Sequence, residues 1–214
     1  KVFNSFFQFH FLWKIIFPKK EEISIKSKLT FIDRILYKLW FWPRNIEAEV
    51  WSKDEIGGIK DPQHFTEIDE DLKFIIKKII FYTPDKKSKI LDLGCNVGRA
   101  LNLLCAENYI NLYGVDISSK AHELMKSKYP NLYKILNFER NIFQTYLSKT
   151  EDRMFETTFT IGATIENVHP SYPLIKNMCR ITKNTIILDI NDSGYSYPRF
   201  WEWEFNKYNF YLKE

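Results

Sequence analysis

Cysteine is scarce. Three occur in 214 residues, Cys95, Cys105 and Cys179, and no two form a C-x-x-C pair. An odd count without that spacing argues against a disulfide framework and a cysteine zinc site, and it makes a reducing, cytoplasmic setting the default. There are four histidines and no H-E-x-x-H spacing, so no structural or catalytic metal is expected. An excess of one charge is also lacking. Thirty-one basic against 27 acidic side chains leave a net charge of +4, and apart from pairs such as Lys77-Lys78 and Lys86-Lys87 the lysines are scattered. That balance is too mild to argue for nucleic acid. Internal repeats and low-complexity tracts are missing. So is an unbroken apolar run of the roughly 20 residues that a membrane-spanning helix needs. The densest stretch, residues 1–17, is interrupted by Asn4, Gln8, His10 and Lys14, and it has no small-residue signal-peptidase site. The chain opens on Lys1 and stops soon after what reads as the start of a late strand, so it is expected to be a fragment at both ends.

What is present is globular: 45% hydrophobic and 27% charged residues, with 17% aromatics concentrated at the two ends. The length suits one α/β domain with a proper core. Residues 1–17 carry eleven aromatic and aliphatic side chains up to Pro18-Lys19-Lys20. They read either as a helix packed on the domain or a partner, which is preferred, or as an interfacial helix giving peripheral membrane contact. Leu29, Ile32, Ile35, Leu36, Leu39 and Trp40 recur at helical spacing before Pro43. Residues 43–65, with Gly57-Gly58 and Pro62, read as a loop. The expected division is therefore a helical extension over 1–60 and a core domain over 61–214. Oligomeric state is not legible.

The core domain is organised around Ile90-Leu91-Asp92-Leu93-Gly94-Cys95-Asn96-Val97-Gly98-Arg99. An apolar run ends in an acid, a loop with two glycines follows, and good helix formers come next. This predicts strand, tight loop and helix, the first half of a βαβ unit. Glycine permits a positive φ and close approach of backbone to a ligand. A helix start offers unpaired N–H groups to an anion. The loop lacks the third glycine of a dinucleotide fingerprint and the G-K-[ST] of a phosphate-binding P-loop. Downstream, Leu112-Tyr113-Gly114-Val115-Asp116-Ile117 reads as a second strand ending in an acid, 18 residues past Gly98. That is near the spacing at which a carboxylate meets a ribose diol.

The D-x-G-C-x-x-G loop together with this spaced acid resembles the class I S-adenosylmethionine (SAM)-dependent methyltransferases. The resemblance covers roughly residues 66–190. It implies a doubly wound, mostly parallel Rossmann-like α/β sheet with the ligand at the strands' carboxyl ends. It also implies SAM as cofactor. Asp92, Gly94, Cys95, Asn96 and Gly98 would cradle its methionine end. Asp116 would hold the ribose, Ile117 would lie against adenine, and Asn141 with Ile142 would meet the adenine edge after a third strand predicted over Tyr133–Phe138. A fourth strand is predicted over Thr157–Gly162. The segment after it, Ala163-Thr164-Ile165-Glu166-Asn167-Val168-His169-Pro170, resembles the family's L-E-H-x-x-P, with Asn167 in the place of the usual His. It makes Glu166 and His169 the catalytic candidates and Asn167 a substrate contact. A His beside a Pro also suits a loop or cap.

Further helices are predicted from Thr66 through Phe81, from Ser118 to about Tyr129 and over Ser171–Lys183, and a buried strand over Thr185–Ile190. Tyr197 and Arg199 lie in an aromatic stretch that reads either as a substrate wall or as helix packing, with another strand beginning at Phe210. No N-P-P-Y-type motif follows strand four, so a small-molecule, sugar or lipid-like acceptor is expected. The rivals are a non-catalytic SAM-fold interaction module and, less favoured, a dinucleotide oxidoreductase.

Overall fold

Short apolar runs alternating with amphipathic ones assemble here into five parallel strands layered with helices. The computed structural model describes residues 61–162, 164–168, 172–190, 199 and 201–213. The expected extension over 1–60, with its two helices, lies outside them.

A 3₁₀ turn (Pro62–Thr66) leads into α1 (Glu70–Tyr82). The predicted start at Thr66 is displaced: the N-cap is Asp69, whose carboxylate accepts from the Leu72 N–H at 2.7 Å. Next come β1 (Ile90–Leu93), α2 (Arg99–Ala106), β2 (Leu112–Asp116) and α3 (Ser119–Lys128), with Ser118 capping α3 through the Ala121 N–H. The third strand differs from expectation. Residues Pro130–Ile135 form a short helix, α4, and β3 runs from Asn137 to Arg140. Proline suits the first turn of a helix, and α4 buries Leu132 completely. Alternating Tyr-Lys-Ile-Leu mimics a strand, but the chain gains more by turning Leu132 into the core.

Then follow α5 (Phe143–Lys149), which sequence patterning did not separate from loop, β4 (Phe155–Thr160), a 3₁₀ turn (Ile165–Asn167), α6 (Leu174–Ile181), β5 (Thr182–Leu188) and α7 (Trp201–Asn206). Residues 210–213, expected to begin a strand, carry no regular structure.

The strand order is β3-β2-β1-β4-β5, all parallel. The order reverses beside β1, which makes the crevice above β1 the switch point of a doubly wound sheet. Side chains of β1 alternate between two cores. Ile90 joins Leu72, Ile79, Leu101, Leu104, Met125 and Leu132 on one face. Leu91 and Leu93 join Leu147, Phe155, Met178, Ile181 and Trp201 on the other. By the same alternation Asp92 shares its face with Ile90, and it is only 3% exposed.

Candidate functional site

Four of the five strands end in or just before a group with chemistry to offer. The Gly94–Gly98 loop caps β1, Asp116 closes β2, Asn141 follows β3, and Gly162 follows β4.

The loop is bent by three left-handed residues, Gly94 and Gly98 at φ 75° and Asn96 at 46°. Backbone bonds pin it to β2: the Gly94 and Cys95 N–H groups both donate to the Val115 carbonyl, at 2.9 and 3.1 Å. Asp116 completes the clamp. One carboxylate oxygen accepts from the Asn96 N–H at 2.8 Å, the other from the Ser118 N–H at 2.9 Å. Its own carbonyl takes the Asn141 N–H at 3.0 Å, so the ends of β1, β2 and β3 are tied through one residue. The Asn141 side-chain oxygen accepts from the Ile142 N–H at 2.8 Å, and its amide donates to Glu139 at 2.9 Å. Ile117 and Ile142 flank this edge, both half-buried.

The glycines are needed for more than ligand approach. A Cβ on Gly94 would stand 2.4 Å from Thr164 Cγ2, and one on Gly98 would crowd Met125 and Leu132 at 3.1 and 3.2 Å. Gly98 thus does the packing work that a third glycine does in a dinucleotide loop. Gly114 is a site residue the sequence reading passed over. A Cβ there would lie 2.9 Å from both Cys95 Sγ and Leu101 Cδ1. The Cys95 side chain therefore points down onto β2, and only its backbone faces the loop's outer side. Burial, with Asp92 and Asp116 nearby, pushes its thiol well above the ordinary range.

Asp92 carries the strongest electrostatic signal. Burial first, then the negative Asp116, raise its carboxyl well above the usual carboxylate range, and Arg99 offsets them in part. A cation brought to this point would relieve that cost. The pieces fit a ligand with an amino group, a carboxylate and a ribose: a buried acid whose charge a cation would stabilise, the start of α2 at Gly98, and the Asp116 carboxylate at the end of β2.

After β4 the chain turns back on the loop. Thr164 packs against Gly94, and its N–H donates to the Gly162 carbonyl at 2.7 Å. Glu166 follows on the 3₁₀ turn and is completely buried, between Ile165 and Val168 of the second core. Arg199, 2% exposed, donates to the Val168 carbonyl and lies 5.6 Å from the Trp201 ring. His169 and Tyr197 lie outside the described residues, as does the Asn167 side chain. The structure brings Asp92, Gly94, Cys95, Asn96, Gly98, Asp116 and Asn141 into one bonded neighbourhood and sets Glu166 on the segment that packs against it. Thr164, Gly162 and Asp189 were missed, because nothing in their local sequence distinguishes them from ordinary strand ends. Among the described residues no His, Cys, Asp and Glu grouping could hold a metal ion. No helix among them is long and apolar enough to cross a membrane.

A family profile described as "Methyltransferase domain" matches residues 90–185. No curated protein matches the chain. Among solved structures, the MccD protein is 17% identical with a TM-score of 0.51, over 63% of this chain and 69% of its own, and shares the fold. A SAM-dependent methyltransferase from Thiobacillus denitrificans, solved with S-adenosyl-L-homocysteine, is 16% identical with a TM-score of 0.49, over 64% and 56%. Monomeric WbdD is 16% identical with a TM-score of 0.49, over 58% of this chain and 32% of its own. The chain thus spans about a third of WbdD, and in the same way 40% of the cyclase SpnF, which shows 16% identity and a TM-score of 0.44 over 51% of this chain.

Proposed function

Because residues 90–185 belong to the methyltransferase-domain family, whose cofactor is S-adenosylmethionine, we propose that this chain binds SAM above β1 and transfers its methyl group to a small-molecule, sugar or lipid-like acceptor. The observation that carries the reading is the Asp116 clamp: one carboxylate braces the glycine loop and stands at the switch point where a ribose would be met.

When bound, the cofactor supplies a methyl group already activated by its sulfonium. The chain's work is then alignment and exclusion of water. Asp92 would receive the amino group, the backbone from Gly94 through Cys95 and Asn96 to Gly98 the carboxylate end, and Asp116 the ribose. Ile117, Asn141 and Ile142 would border the adenine. Glu166 or His169 would take a proton from an acceptor that carries one. Asn167 and Tyr197 would contact the acceptor, while Arg199, bonded to Val168, would hold the wall behind it. Peripheral membrane contact through residues 1–17 would suit a lipid-like acceptor.

Calorimetric titration with SAM and S-adenosylhomocysteine tests the reading. Micromolar binding is expected for the native chain, with loss in Asp116→Ala. Absence of binding by the folded native chain overturns it. Full burial of Glu166 favours one second reading, a SAM-binding module without catalysis. Binding that survives with no turnover across an acceptor panel would select that alternative.

A further inference from the structure

We infer that Asp189 is a specificity-determining residue of the acceptor site, selecting acceptors that present a hydroxyl or amine and rejecting anionic ones; the inference rests on the methyltransferase reading above.

The register places it. Asp92, Phe159 and Ile187 lie in one row across β1, β4 and β5. Two residues further along are Gly94, Ile161 and Asp189. Neighbouring strands lie about 4.8 Å apart, so the Asp189 backbone stands about 10 Å from the glycine loop along the carboxyl edge. The cofactor candidates occupy the β1, β2 and β3 side of this edge. An acceptor must approach from the other side, over β4 and β5.

Two groups build that seat. Gly162 follows β4 at φ 74°, and a Cβ placed on it would meet none of the described residues within 4 Å, so among them its backbone faces open space. Asp189 lies directly across. Its N–H donates to the Thr160 carbonyl at 3.1 Å, which fixes the end of β5 against β4. Its Oδ2 accepts the Gly162 N–H at 3.2 Å, which fixes the side chain. The Thr160 hydroxyl donates in turn to the Leu93 carbonyl at 2.9 Å, so the row is braced through to β1. A carboxylate accepts at both oxygens, and among the described residues only Oδ2 is engaged, so Oδ1 is available to a donor beside the open face of Gly162. A hydroxyl or ammonium group satisfies it. A carboxylate or phosphate brought to the same point meets a like charge.

The test uses ¹⁵N-labelled full chain saturated with S-adenosylhomocysteine, titrated with benzylamine, benzyl alcohol and benzoate, three probes that share a ring and differ in head group. The Gly162 amide resonance is the reporter. Benzylamine and benzyl alcohol should move it, benzoate should bind at least tenfold more weakly, and Asp189→Asn should abolish the preference of amine over carboxylate while leaving S-adenosylhomocysteine affinity within about twofold. The native-chain series stands without the variant if Asp189→Asn folds poorly. Equal binding of the three probes, or no movement at Gly162 with any of them, overturns the inference while leaving the cofactor reading intact. Failure of S-adenosylhomocysteine to bind overturns both.

Discussion

Asp92 is where the sequence pattern and the physics of burial meet most directly. An acid at the end of an apolar strand could have turned to solvent. Here it is enclosed beside Asp116, and its carboxyl is held well above the usual range by burial. A raised carboxyl pKa means that the folded chain keeps a proton the unfolded chain gives up. Stability therefore falls as pH climbs from the ordinary carboxylate range to the folded value, and the penalty is complete above it. Asp92→Asn should accordingly raise the thermal midpoint at pH 8, with the gain vanishing below about pH 3, where both states hold the proton. The same variant should weaken SAM binding by about 10- to 100-fold, since a hydrogen bond to a charged group contributes about 1.5–3 kcal/mol. Calorimetry at the two pH values checks both. A variant that binds normally would remove Asp92 from the cofactor site. The acid and its loop were legible from spacing alone. The partners that give them meaning were not, because Thr164, Met125 and Leu132 reach the glycines from 27 to 70 residues away.

At the level of elements, the pairing of β2 with the glycine loop is the joint on which the site depends. Gly114 has no side chain, and that vacancy is filled by Cys95 from the loop and Leu101 from α2. Gly114→Val should cost about 1–3 kcal/mol through overpacking and should also weaken S-adenosylhomocysteine binding, because the loop must lift to make room. Urea melts with an unchanged m value, paired with titration, would check this; destabilisation with unaltered binding would mean that the loop does not depend on the joint. The strands that sequence patterning located best, β1 and β2, are the most apolar; β4 and β5 begin two and three residues before their expected starts, and β5, expected to be buried, is an edge strand that is mostly half-buried or exposed. β3 was misplaced by several residues because the alternation in Tyr133–Leu136 is equally compatible with a short helix, and only the need to bury Leu132 decides between them. α5 offers seven residues with Leu147 as its one buried position, too little periodicity to announce a helix.

For the whole molecule, ligand and fold are linked. If SAM binds the folded chain alone, a concentration 100 times the dissociation constant adds about 2.7 kcal/mol. In a chain of this size that should raise the melting midpoint by about 5–10 °C, and differential scanning calorimetry would register it. An unmoved midpoint at saturating SAM would contradict the assigned site. The doubly wound architecture was legible because alternation of strand and helix leaves few ways to wind a parallel sheet. The seat above β4 and β5 was not, because it exists only once Thr160, Gly162 and Asp189 are brought side by side across strands.

The central place of β1 also has a consequence during synthesis. Its first neighbour, β2, leaves the ribosome soon after it. Its second, β4, starts at Phe155, about sixty residues beyond Leu93. Until then a nascent chain carrying β1, β2 and β3 presents an apolar strand with one edge unpaired, which is a template for association with another chain. The arrangement that sets the glycine loop at the middle of the mature sheet thus obliges the growing polypeptide to shelter that same strand, and a pause in translation between residues 93 and 155 would lengthen the interval in which it stands exposed.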